Sequence, residues 1–315
     1  MIRFSPLHPR DTPELLELWN RCAPYDPLTE QLMREKVWGD YDFDEELSLL
    51  ALNGDAPVAI AHAVVRQLSA ERRGYMKLLG VAPEFRRQGV GQEIVLKLHG
   101  ALVRRGAETI RVGESAPNYL VPGVDTRYDC AAKFFESLGY TKIGEATNLT
   151  APLAGRDFTT DISDSALGAN GLAIRRADAN DRESLEKLLK TYWPTWNAEV
   201  ATAMSCDPRA VHIALKGNQV VGFSAYDGNN RGTGWFGPMG THPEFRGLGI
   251  GKILLRCCLH DLQSQGHARA IIPWVSPTGL YANQVGATVD RTFNRYEFCL
   301  GERTSTEMSQ KATTE

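Results

Sequence analysis

The feature that most constrains this chain is that it repeats itself. Residues 81–91, Val-Ala-Pro-Glu-Phe-Arg-Arg-Gln-Gly-Val-Gly, are matched at 241–251 by Thr-His-Pro-Glu-Phe-Arg-Gly-Leu-Gly-Ile-Gly. Pro, Glu, Phe, Arg and two Gly recur in the same order and spacing, about half the chain apart, so one supersecondary plan is used twice. The flanks repeat as well. Strand-like runs at 73–80 and 232–239 lead into the two segments. Helical stripes follow, formed by Ile94, Leu96, Leu98, Leu102 and Val103 in one copy and by Ile253, Leu254, Leu255, Cys258 and Leu262 in the other. Gly106 and Gly266 fall where each helix should stop, and β-type runs follow at 108–112 and 268–275.

Each half also opens alike. Ile2-Arg3 and Ile174-Arg175-Arg176 begin strands, helices are expected over 13–22 and 181–192, and turns at 53–55 and 216–218 mark hairpins. The pattern predicts an N-terminal domain over 1–154 and a C-terminal domain over 172–302. A polar linker without periodicity is expected at 155–171, and a frayed tail over 303–315.

Bulk chemistry narrows the function classes. A formal charge of −3 offers no general attraction to nucleic acid or to an anionic membrane. No run of about 18 apolar residues suggests a span, and the first residues lack the apolar core of a signal peptide. Cys22, Cys130, Cys206, Cys257, Cys258 and Cys299 form no CxxC pair and no zinc spacing. They read as reduced packing thiols, which gives the expectation of a cytoplasmic protein without a metal.

A strand, a tight glycine loop and a helix together make an anion cradle. Glycine lets the backbone take positive φ and approach a ligand, and the first amides of the helix point at one spot where the helix dipole favours negative charge. Arg86, Arg87, Gln88, Gly89, Val90 and Gly91 are therefore expected to hold phosphate oxygens, as are Arg246, Gly247, Leu248, Gly249, Ile250 and Gly251. Other phosphate loops fit worse. Gly251-Lys252 is followed by Ile253 rather than Ser or Thr, and the third glycine of a dinucleotide fingerprint is replaced by Ile94 and Leu254.

The pattern V-x-P-x-x-R-x-x-G-x-G between a strand and a helix closely resembles the acetyl-CoA motif of the GCN5-related N-acetyltransferase (GNAT) superfamily. The resemblance extends over nearly the whole chain, with Thr241 departing from the usual aliphatic residue. It implies an α/β (α+β) protein of two tandem GNAT folds, each a mixed twisted sheet flanked by helices and splayed between its fourth and fifth strands. Acetyl-CoA would be the cosubstrate. Its pyrophosphate would lie on the R-x-x-G-x-G amides, and its acetyl carbonyl on fourth-strand backbone at Leu79 and Val81, or Met239 and Thr241.

The reaction so implied is direct attack of an amine on the thioester. The amine must lose a proton, the oxyanion needs N–H donors, and the thiolate gains from an acid. The family's acid is a tyrosine on the helix after strand five. Phe135 stands there in the first half, while the second half has Tyr281, one residue further from its glycine. Tyr281 is thus the implied acid, and catalysis is expected in the C-terminal half.

Glu46, Glu114, Asp125, Asp227 and Glu244 are carboxylates among which a base could be sought; the seven histidines are scattered, His242 having Ala82 as its counterpart. Trp235, Trp274 and Tyr75 lie near expected strand ends and read as core or as substrate lining. A long loop at 115–128 with two prolines and a glycine has no counterpart of equal length in the second half. It either covers an acceptor site or packs between domains. The expected function is transfer of acetyl from acetyl-CoA to a small-molecule amine, with no nucleic-acid or membrane partner. The alternatives are a CoA-binding regulatory module without catalysis, and acetylation of a cysteinyl amine as in mycothiol synthase. The acceptor and the oligomeric state are left open.

Overall fold

The computed structural model describes residues 2–159, 168, 171–275 and 278–300. The chain forms two compact units, Met1–Ala146 with the segment from Thr292 onward, and Thr147–Arg291.

The first unit opens with strand β1 (Ile2–Pro6) and helix α1 (Thr12–Cys22), whose buried stripe is Leu15, Leu18, Trp19 and Cys22. A short helix α2 (Glu30–Met33) follows, started by the Thr29 hydroxyl accepting from Leu32 N–H, and it continues into a wider turn over Arg34–Trp38. Strands β2 (Ser48–Asn53), β3 (Ala56–Gln67) and β4 (Arg72–Val81) make an antiparallel meander with β1 at its edge. Helix α3 (Val90–Arg104) then crosses to β5 (Thr109–Val112), which lies parallel to β4, the arrangement a helical crossover allows. The two-residue strand β6 (Val124–Asp125) and helix α4 (Asp129–Ser137) come next. One side of the sheet is filled by Ile94, Val95, Leu98 and Leu102 of α3 and the other by α1 and α2 residues around Met33 and Val37.

Strand β7 (Thr141–Pro152) carries the chain from the first unit into the second. There β8 (Leu172–Arg176), α5 (Arg182–Tyr192), α6 (Asn197–Met204), β9 (Val211–Lys216), β10 (Gln219–Tyr226) and β11 (Phe236–Thr241) follow. The four strands β8 to β11 form an antiparallel sheet in the order β11-β10-β9-β8. Helix α7 (Ile250–Ser264), β12 (Arg269–Ile272) and helix α8 (Gly279–Val285) follow in the second unit, and β13 (Thr288–Cys299) leads the chain back.

The compact units exchange their last strands relative to the sequence halves. In the first unit β13 pairs with β5, Phe298 opposite Ile110, and with β6, Phe293 opposite Asp125. In the second unit the end of β7 pairs with β12, Ala151 opposite Ala270. Residues 147–154 therefore belong with the second unit and 292–300 with the first, where the sequence pattern assigns each to its own half. Both strands are 12 residues long and fill the same slot of the same plan, so hydrophobic pattern cannot tell which strand each one pairs with. Most of the expected linker and all of the expected tail lie outside the described residues. Among the described residues no helix is long and apolar enough to cross a membrane.

Candidate active site

In the first unit β4 and β5 run together only from Arg73–Thr109 to Met76–Val112, and the Gly113 N–H donates to Met76 O at 2.9 Å as the last link. Beyond it β5 has ended while β4 continues to Val81, so the two strands part. A bulge between Lys77 and its neighbours on β3 shifts the register there. The Ala82 N–H donates to Val58 O at 2.8 Å on the β3 side. Alternation then turns the backbone of Leu79 and Val81 toward the gap.

The loop at the end of β4 is built by its own hydrogen bonds. Pro83–Phe85 form one 3-10 turn. Arg86 donates from Nε to Val81 O at 2.9 Å and from a terminal nitrogen to Cys22 O at 3.2 Å, and Gln88 donates to Glu84 O. Arg87 and Gly89 take φ of 61° and 83°, which turns successive amides outward at the start of α3. At Gly89 a Cβ would meet nothing within 4 Å, so it is the φ of 83°, not crowding, that favours glycine there. At Gly80 a Cβ would lie 2.9 Å from the Cys22 Cβ, because the end of α1 packs directly on β4.

A cavity of about 800 Å³ extends from this loop along the parted strands. Leu79, Gly80 and Val81 form its floor, Arg86, Arg87, Gly89 and Gly91 one end. Its walls are the α1 end with Tyr25 and Asp26, and the loop and helix running from Val121 to Leu138. The size suits a cofactor-scale ligand. The long loop at 115–128 thus forms a wall of this cleft. Phe135, 3% exposed, lines it where the family places its acid.

Among the polar groups of the cleft, Asp125 is a carboxylate considered from sequence, while Asp26 and Lys77 are ones the sequence did not single out. Asp125 is buried and holds Arg127, which donates from Nε at 2.9 Å and from a terminal nitrogen at 2.6 Å. Asp26 is also buried, and Lys77 lines the cleft floor from β4. Behind them lies a buried network. The Asp40 carboxylate accepts from Arg66 at 2.6 and 2.8 Å, from Asn118 at 3.0 Å and from Lys77, whose ammonium also donates to Lys36 O. Burial alone would raise Asp40, but Arg66 and Lys77 outweigh it and hold the carboxyl well below its usual range. Asn118 and Ser115 tie the loop to this network. No motif marks it, because its members are spread over four elements and only the fold collects them.

The other carboxylates considered from sequence are placed elsewhere. Glu114 is buried against Arg111 and Arg295, Glu46 pairs with Arg104 and Arg105, and Glu244 is exposed in its loop. Asp227 accepts from Gly232 N–H in a second-unit loop. Tyr75 is buried in β4, and Trp235 is buried while Trp274 is half-exposed.

The second unit repeats the loop. His242 N–H donates to Val221 O at 2.8 Å, Arg246 Nε donates to Thr241 O at 3.2 Å, and Gly247 and Gly249 have φ of 82° and 81° at the start of α7. Among the described residues, the approach to β11 joins β12 through the bridge of Trp235 with Ile271 and the Ile271 N–H bond to Gly234 O at 2.8 Å. By the same alternation, Met239 and Thr241 turn their backbone from β10 toward that gap. The surroundings of the strand differ. A Cβ at Gly240 would lie 2.8 Å from the indole of Trp193, which stacks on Trp196 and meets Phe223 edge-on. The His242 side chain caps its turn by accepting from Glu244 N–H and bonds Tyr192. Tyr281, on α8, is half-buried with its ring edge-on to Phe236, and burial pushes its phenol up.

This geometry agrees with comparisons to known proteins. The model of the acetyltransferase (GNAT) family matches residues 12–120 and 181–285, one stretch in each half. Among solved structures, the chain is similar to a GCN5-related glucosamine N-acetyltransferase region of a fungal multi-domain GH3 β-N-acetylglucosaminidase. Identity there is 17% and the TM-score 0.80 over 95% of this chain, which spans 38% of that one. It is similar to a GCN5-related N-acetyltransferase from Sphaerobacter thermophilus, at 18% identity and TM-score 0.69, covering 95% of this chain and 96% of that one. A tandem GNAT protein from the clavulanic acid biosynthesis pathway matches at 14% identity and TM-score 0.67, over 96% of this chain and 99% of that one. At these identities the likeness is one of fold, and the fold is the tandem GNAT fold. With both of its halves matched by the family model, the chain belongs to the acetyltransferase (GNAT) family and is an acyltransferase.

Proposed function

We propose that this protein transfers the acetyl group of acetyl-CoA to a small-molecule amine in the cleft of its first unit. The observation that carries this reading is the continuity of the cavity. It joins the amide-lined loop at Arg86–Gly91, the exposed backbone of β4 and a polar far end in one space. Pyrophosphate oxygens would take the loop amides, and the thioester would lie along β4. The N–H groups of Leu79 and Val81 would then stabilise the oxyanion as the amine attacks. Asp26, on the wall opposite the loop, is our candidate to receive the amine proton directly or through water. Phe135 supplies no proton to the departing thiolate, whose thiol pKa of ~8.5 makes it a tolerable leaving group. Because one neighbour in fold carries a glucosamine N-acetyltransferase region, an amino sugar belongs in the first panel of amines.

A second reading follows the sequence more closely and puts transfer in the second unit with Tyr281 as acid. It is favoured by Tyr281 packing against Phe236 at the start of β11. Release of CoA thiol, measured over an amine panel, separates the readings. Under the first, Gly89→Val removes turnover and Gly249→Val does not. Under the second the pattern reverses, and Tyr281→Phe lowers kcat by ~10²-fold or more.

A further inference from the structure

The two walls of the first-unit cleft touch each other. The Tyr25 N–H, in the loop after α1, donates to the Tyr128 hydroxyl at 2.9 Å, and the two rings lie 5.1 Å apart. The Arg127 guanidinium sits 4.0 Å above the Tyr25 ring, a cation–π contact. Tyr25, Arg127 and Tyr128 all line the cavity, so this contact spans it from the α1 wall to the wall made by the long loop.

The loop wall is fixed in place. Asp125 is 2% exposed, pairs through β6 with Phe293 of β13, and grips Arg127 through its backbone N–H as well as its guanidinium. Gly113 and Gly123 pack so closely that a Cβ would lie 2.9 Å from Val121 O and 2.6 Å from Asn294 O. Asn118 is buried, with its amide held by Glu35 O and Asp40. The α1 wall is held at its other end, where Arg86 and the ion pair of Arg21 with Glu84 join it to the anion loop.

We propose that Tyr25, Arg127 and Tyr128 form a strap across the acceptor end of the cleft, which admits free small amines and shuts out the amino terminus of a peptide. The proposal rests on the reading that transfer takes place in the first unit. A peptide acceptor continues for up to ~3.3–3.6 Å per residue beyond its reacting nitrogen and needs an open groove along that path. The strap occupies the path between the walls. A small amine needs no such exit, and the buried carboxylate of Asp26, which lines the same cleft as the strap, suits an acceptor that arrives as an ammonium ion.

The test is a comparison of kcat/KM for glucosamine and for an eight-residue peptide with a free amino terminus, in the full chain and three variants. Tyr25→Ala removes the ring that meets Tyr128 and Arg127 at a residue that is 42% exposed, so the fold should survive, and a thermal melt checks this. Tyr128→Phe removes only the hydroxyl that accepts the Tyr25 N–H. Gly89→Val disables the anion loop. The unaltered protein should prefer glucosamine by ~100-fold or more. Tyr25→Ala should raise peptide kcat/KM by ~10-fold through a lower peptide KM, with Tyr128→Phe changing it in the same direction. Equal use of peptide by the unaltered protein, or an unchanged preference in both strap variants while Gly89→Val abolishes transfer, overturns the strap alone. Transfer that survives Gly89→Val, or is absent with every amine, overturns the first-unit reading and the strap with it.

Discussion

Arg86 donates its Nε–H to the carbonyl of Val81 at 2.9 Å, five residues back along the chain. That bond closes the turn between β4 and α3. Arg246 repeats it on Thr241 at 3.2 Å in the second unit. The arginine of the motif therefore spends its guanidinium on backbone: the terminal nitrogen of Arg86 reaches Cys22 O and fastens the end of α1 to the loop. The sequence places the backbone amides of Arg86 to Gly91, not a particular side chain, on the ligand. The structure shows the Arg86 side chain holding the loop that would bind it.

The first prediction concerns this staple. Arg86→Lys keeps a charge but cannot reach both carbonyls with a planar fork. Acetyl-CoA affinity should fall by ~10-fold, in line with the loss of one or two hydrogen bonds made by a charged group. Calorimetric titration checks it, and equal affinity would show that the loop stands without its arginine.

The buried network gives a second prediction. Asp40→Asn leaves Arg66 and Lys77 buried without their counter-charge and should destabilise the protein by about 3–5 kcal/mol in denaturant unfolding. The pH dependence follows from the same carboxyl. Its folded pKa lies below its unfolded value, so its stabilisation is full above about pH 4 and is lost as pH falls through the folded value. The variant should lose that part of the acid slope. A slope identical in both proteins would mean Asp40 is not ionised in the fold.

A third prediction tests the strand exchange. A chain ending at Arg291 lacks the part of β13 that pairs with β5 and β6 in the first unit. Phe298 and Tyr296 would be missing from that core and Phe293 from behind Gly123. The truncated chain should lose acetyl-CoA binding by the first unit, although every motif residue of that unit remains. Retained binding at unchanged affinity would count against the pairing.

Much of this was legible in the sequence, for identifiable reasons. Gly89 and Gly249 announce their loops because few residues tolerate φ near 80° and a ligand at close range, so the local chemistry demands the letters. The meander from β2 to β4 shows in its turn at Asn53-Gly54-Asp55. Two kinds of feature were hidden. The destination of β7 and β13 depends on which neighbour each one pairs with, β5 or β12, a choice that pattern does not encode. The Asp40, Arg66, Lys77 and Asn118 cluster depends on residues up to 78 positions apart, and Asp40, one acid in a run with Asp42 and Asp44, looks like any surface acid until the fold buries it.

Phe135 supplies a fourth prediction. Its ring lines the cleft and lies edge-on to Phe134 and Tyr140. Phe135→Tyr restores a phenol at the position where the family carries one. If thiolate departure limits the rate, kcat should rise by ~10-fold or more while the KM for acetyl-CoA stays within about twofold. A fall in kcat without loss of fold would place the rate-limiting step elsewhere.

The central claim is that the first unit carries the chemistry, and paired loop variants test it most directly. Gly89→Val and Gly249→Val force a β-branched residue into φ of 83° and 81° at matching sites, so both bear the same strain and differ only in the unit they disable. Acetyl transfer to the best small amine should fall by ~10³-fold or more in Gly89→Val and stay within about threefold in Gly249→Val. Transfer retained in Gly89→Val and lost in Gly249→Val would contradict the account and return catalysis to the second unit.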